Sequence, residues 1–161
     1  MRIESSLLGK LLTPFFRLAG TLVPYEGDRV PATVHFLSQP GSDDFIFNRT
    51  FYFPGRKPYR FVSHMRPAGG NTLIEFMRLG IGWHMAYDWT GEKVTLTHKN
   101  YVLNFFGHPL PLPLSLLMGR GYAEETPIDE ETFSMKMEIR HPLWGKVYGY
   151  SGTFRVTQEV Q

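Results

Sequence analysis

Two charges stand where apolar side chains are expected. In "DFIFNRTFYF", residues 44–53, Phe45, Phe47, Arg49, Phe51 and Phe53 share one face of an extended strand, so Arg49 interrupts a phenylalanine stripe. Glu75 sits between Leu73 and Met77 in the same manner. A charge on such a face must be paired or must change its ionisation. One reading is an internal ion pair, Arg49 with Glu75 or with Glu124, that fixes strand register. Another places these positions at strand ends that open to solvent. A third has Arg49 anchor a carboxylate or other anionic head group inside an apolar cavity. Tyr148 and Tyr150 would add hydroxyl contacts or simply core packing, with Trp83, Leu112 and Leu114 as apolar lining.

Signatures of the common reaction classes are missing. There is no phosphate loop, no GxSxG elbow and no HExxH. The absence of cysteine excludes disulfides, zinc-thiolate sites and thiol catalysis. Histidines fall at 35, 64, 84, 98, 108 and 141, none with metal-ligand spacing to another, although a barrel could gather His64, His84 and His98. No catalytic residue, metal or cofactor is assigned. An enzyme is the third choice and would need Glu75, Glu124 or a histidine in a cleft. With a net charge of +2 and no basic run of five, a nucleic-acid partner is not indicated.

The elements that must position these residues are strands. From Gly27 to about residue 157 the pattern has period two. Ile81, Trp83, Met85 and Tyr87 form one face; so do Phe133, Met135, Met137 and Ile139; so do Tyr148, Tyr150, Phe154 and Val156. "TGEK" at 90–93 reads as a hairpin turn. Eight to ten strands joined by short turns favour antiparallel neighbours, and a sheet this large must curl, close or split. The expected fold is mainly β: a strongly curved antiparallel sheet or barrel, lipocalin-like in outline, with one short N-terminal helix. The length of 161 residues suits a single domain, 1–161.

That helix is expected over residues 5–20, with Leu7, Leu8, Leu11, Leu12, Phe15, Phe16 and Leu18 near helical spacing. Ser5 or Ser6 would cap it and Pro14 would kink or end it. It is too short and too charged to span a bilayer, and its charges spoil it as a signal peptide. It caps a core or lies on a membrane surface. The run Pro109-Leu110-Pro111-Leu112-Pro113-Leu114 cannot enter a central strand, because proline donates no amide hydrogen bond. The expectation is an extended crossing segment, followed by a helical turn near Leu114–Met118, that plugs one end of the sheet or forms a lid on a ligand cavity.

Four segments, "FNRTFYFPGRKPYRFVSHM", "LIEFMRLGIGWHMAY", "NYVLNFFGHPLPLPLSLLMGRGYAEE" and "MKMEIRHPLWGKVYGYSGTF", resemble in their order the bacterial domain-of-unknown-function family numbered 4166. The resemblance covers roughly residues 5–157, and "IRHPLWGKVYGYSG" is its most specific part. It implies a bacterial domain that stands alone or lies C-terminal to dehydrogenase-like or epimerase-like proteins. It implies no activity and no catalytic residues. Members carry more chain before the first helix, which leaves any contact of that segment open here.

Two functions follow as expectations. The first is non-enzymatic binding of an apolar or amphipathic small molecule, such as a lipid, fatty acid or isoprenoid, inside the curved sheet. The second is a structural or accessory domain with a filled core that packs against an enzyme partner or a second copy. The lack of cysteine and of a spanning segment fits the cytoplasm, with peripheral membrane contact left open.

Overall fold

The computed structural model describes residues 1–38 and 40–157. Gln39 and residues 158–161, which the sequence reading places in the same domain, lie outside the described residues, as do the side chains of Phe16 and Ala19. Alternation of apolar and polar residues gives eleven strands among the described residues: β1 (Arg2–Ser5), β2 (Ala32–Ser38), β3 (Phe45–Phe51), β4 (Tyr59–Pro67), β5 (Thr72–Phe76), β6 (Ile81–Trp89), β7 (Val94–Phe105), β8 (His108–Leu112), β9 (Arg120–Pro127), β10 (Thr132–His141) and β11 (Gly145–Arg155). They form one antiparallel sheet in the order β1-β11-β10-β9-β7-β6-β5-β4-β3-β2, with β8 paired to β7 alone. The sheet curls strongly into a half-barrel. Gly27–Val30, the segment leading into edge strand β2, is hydrogen-bonded to Met1 and Ile3 at the opposite edge.

The concave side holds the core: Phe51, Phe61, Trp83, Met85, Tyr101, Met137, Ile139 and Tyr148 among others. Each large apolar side chain buried there contributes about 1.5–3 kcal/mol. The helix α1 (Leu7–Ala19) packs Leu8, Leu12 and Phe15 on this core and leaves Leu7, Leu11 and Leu18 exposed. Ser6 caps it, its Oγ accepting from the Gly9 amide.

Three local expectations change. Residues 2–5 form a strand ahead of the helix, because they complete the edge beside β11. Pro14 does not end α1, which continues to Ala19. The proline run is not a free crossing segment: His108–Leu112 is a strand hairpinned onto β7. Its spacing of two puts the nitrogens of Pro109 and Pro111 on one side of the strand, and an edge strand has a side that needs no donors. Beyond it, α2 (Ser115–Met118) makes one helical turn, as expected, against β10. Gly119 ends that turn at a φ of 91°, so close to β10 that a Cβ would lie 2.2 Å from the Arg140 carbonyl oxygen.

Candidate functional site

β3, β4 and β5 are adjacent, and each sends one polar side chain into the half-barrel. Arg49, Ser63 and Glu75 are exposed by only 4%, 0% and 5%, so their polar atoms depend on one another for partners, and Arg49 Nε is left without one. Arg49 Nη2 donates to Glu75 Oε1 at 2.5 Å and to Ser63 Oγ at 2.7 Å, and Ser63 Oγ donates to Glu75 Oε1 at 2.6 Å. The rings of Phe47 and Phe61 sandwich the guanidinium, with centroids 4.0 and 3.9 Å from Cζ. Cross-strand register explains the sandwich: Phe61 lies opposite Arg49, and Phe47 opposite Ser63. The Tyr150 phenol meets the same guanidinium from β11; burial pushes its ionisation up while the Arg49 charge opposes that.

Arg49, Glu75, Trp83, Met137 and Tyr150 line a cavity on either side of themselves, so they form a partition across the interior. On one side the space is about 30 Å³, room for little beyond a water. Leu114 and Met118 from the α2 region, with Leu22 and Ile139, fill that end. On the other side is a pocket of about 380 Å³. Phe36, Phe45, Pro67, Gly70 and Tyr87 surround its mouth; Leu96, Ala123 and Met135 line its wall.

Trp83 also reaches the plug. Its Nε1 donates to His98 Nδ1 at 3.0 Å, and His98 Nε2 lies 3.0 Å from Ser115 Oγ in α2. With Nδ1 accepting, the imidazole proton is on Nε2. Burial, aided by the charge of Arg120 and by His84, pulls His98 down to about 4, so it is neutral at physiological pH. The histidine trio does not assemble. His64 faces solvent and His84 bonds Asn100, while no group of three acidic or histidine side chains among the described residues could hold a metal ion.

Of the residues singled out from sequence, Arg49, Glu75, Trp83 and Tyr150 come together at the partition. Leu114 lines the small cavity, and Leu112 packs partly buried on the core at the end of β8; neither lines the larger pocket. The proline run therefore covers the opposite end from the open pocket. Tyr148 is buried in the core. Glu124 does not meet Arg49. It points to the other face of β9, where it accepts from Lys93 Nζ at 2.7 Å and from the Tyr122 hydroxyl at 2.8 Å, and these bonds hold its carboxyl low.

Glu125, one residue on, is the acid of β9 that lines the pocket. Its neighbours across the ladder are Met135 and Val94. It makes no ion pair or hydrogen bond to any described side chain, and burial pushes its carboxyl up. The alternation in "GYAEE" carried the signal: Gly121, Ala123 and Glu125 share the inner face. Small inner residues concealed it. Gly121 is small because Trp83 lies over it, and a Cβ there would approach the indole to 2.7 Å.

A curled antiparallel half-barrel, helix-capped, plugged at one end and hollow at the other, is the class that fold and site define. The chain belongs to the family described as Domain of unknown function (DUF4166), which matches residues 2–154. No match was found among curated proteins or among solved structures. Among the described residues no helix is long and apolar enough to cross a membrane.

Proposed function

We propose that the domain binds an apolar or amphipathic small molecule in the open half of the half-barrel, without catalysing a reaction on it. The observation that carries this reading is the 380 Å³ pocket, whose walls are mostly apolar and aromatic side chains, Phe, Met, Leu and Trp among them. Its volume lies within the roughly 300–1,000 Å³ usual for small-molecule sites. Burial of each methylene would contribute about 0.8 kcal/mol, enough for micromolar affinity after association entropy is subtracted. The partition supplies a polar floor whose opposite charges are already paired, which suits an apolar tail better than a reacting group.

The test is titration with a neutral fluorescent probe, N-phenyl-1-naphthylamine. One saturable site is expected in the wild type, and Leu96→Trp, which fills the pocket from β7, should weaken it by at least about tenfold. Non-saturable uptake, equal in both proteins, would discard the pocket.

A second reading, an accessory domain docking on a partner, is favoured by a different observation. Leu116 in α2, and Leu143 and Trp144 in the β10–β11 turn, are strongly exposed. They are neighbours, because His141 Nε2 bonds the Leu116 carbonyl and the His141 ring stacks on Trp144.

A further inference from the structure

Among the described residues three charged side chains line the open pocket: Arg49, Glu75 and Glu125. Arg49 and Glu75 are spent on each other. Their charges cancel in a direct ion pair, Ser63 bridges them, and two phenylalanine rings cover the guanidinium faces. Arg49 Nε has no partner but is itself buried, and an incoming carboxylate could take Nη2 only by displacing Glu75. That would leave a buried carboxylate without its cation, a strongly unfavourable exchange. The ion pair therefore disfavours the anionic ligand expected from Arg49 alone.

Glu125 remains. It reaches the pocket from the inner face of β9, between Val94 on β7 and Met135 on β10. The basic residues beside Val94 and Met135 in the chain are committed elsewhere, Lys93 to Glu124 and Lys136 to Glu138. A half-buried acid held unpaired among apolar side chains is costly to the fold. Among the described residues no side chain supplies a partner for it.

We propose that Glu125 reads the head group of the bound molecule and that the pocket takes an amphiphile with a protonated amine and an apolar body. This rests on the pocket being a binding site. The ammonium would donate to the Glu125 carboxylate in a charge-assisted hydrogen bond, while the apolar body occupies the space over the partition. The same carboxylate repels fatty acids, so discrimination comes as much from rejection of anions as from attraction of cations.

Dodecylamine, 1-dodecanol and dodecanoic acid, equal in chain length, would compete with N-phenyl-1-naphthylamine at neutral pH, below their aggregation thresholds. The amine should displace the probe at a concentration about tenfold below the alcohol, and the acid should be weakest. Glu125→Gln should bring the amine to within about twofold of the alcohol in the same variant. Glu124→Gln, one residue away on the other face, should preserve the wild-type order. Displacement by all three at equal concentration, or best by the acid, overturns the assignment while keeping the pocket; the wild-type order alone decides this if a variant fails to fold. Absence of saturable probe binding overturns the pocket and the assignment together.

Discussion

The two ends of the half-barrel are built from the same strands and the same alternation, yet one is packed and the other is hollow. The difference lies in the connections. At the packed end the chain supplies side chains that point inward: Leu114 and Met118 after the proline run, and Thr21 and Leu22 after α1. At the hollow end it turns through tight hairpins. The β4–β5 turn, for example, is Ala68–Asn71, with both glycines at positive φ and the Ala68 amide bonded to the Thr72 carbonyl. Such a turn reverses the chain but has no side chain to fill the barrel. Alternation thus provides a wall, and only the loops decide whether the space within it is filled.

The partition is where the two ends meet, and breaking it should have the largest effect. Glu75→Ala leaves Arg49 buried without its anion, and Arg49→Ala does the reverse; each should cost about 3–5 kcal/mol in urea unfolding. Replacing Arg49, Ser63 and Glu75 together by Met, Ala and Leu should recover stability to within about 2 kcal/mol of wild type, because no buried charge is stranded. If the triple variant is as unstable as the singles, shape and not charge holds the partition.

The contrast between the ends is next tested by one substitution made twice. Met118 is 3% exposed in the plug, and Met135 is 9% exposed on the pocket wall. Met118→Ala opens a hole in packed surroundings and should cost about 2–5 kcal/mol. Met135→Ala enlarges a space that already exists, so little new cavity is created, and its cost should stay below about 2 kcal/mol. Equal losses would mean that the pocket collapses in solution.

The sequence made the wall legible and left the contents of the barrel harder to read. Period two announced the curled sheet, and an Arg inside a phenylalanine stripe announced an internal partner. Glu75 could be named because it broke an apolar face in the same way. The inward acid of β9 was harder to read, because "YAEE" offers two adjacent acids and a shift of one residue exchanges the faces of a strand. With Gly121 and Ala123 on the inner side, no large apolar residue marked which face was which. Strand β1 is four residues of mixed polarity, recognisable only from the edge of β11 that it completes. Strand β8 was hidden by its prolines, which an edge position tolerates. His98 gave no warning, since its partners Trp83 and Ser115 lie 15 and 17 residues away.

The smallest expected effect is a difference in pH response between the ends. His98 at the packed end is held at about 4 against an ordinary 6.5. Below about 6.5 the unfolded chain takes up a proton that the native state refuses, so this group's contribution to stability is complete above 6.5 and is lost as the pH falls towards 4. Protonation at Nδ1 would also end the bond from Trp83. Glu125 at the hollow end has the opposite sign. Its native carboxyl is raised above the ordinary 4.5, so the native state accepts a proton first, and acidification through that window relieves a penalty present at neutral pH. Solvent access to both groups keeps each contribution modest. Urea midpoints measured across the acid range should separate them. His98→Gln should flatten the wild-type loss between 6.5 and 4, and Glu125→Gln should steepen the acid side while raising the midpoint at neutral pH. A His98→Gln profile parallel to wild type would show that the native imidazole takes up its proton as readily as the unfolded one, and that the plug does not hold it neutral.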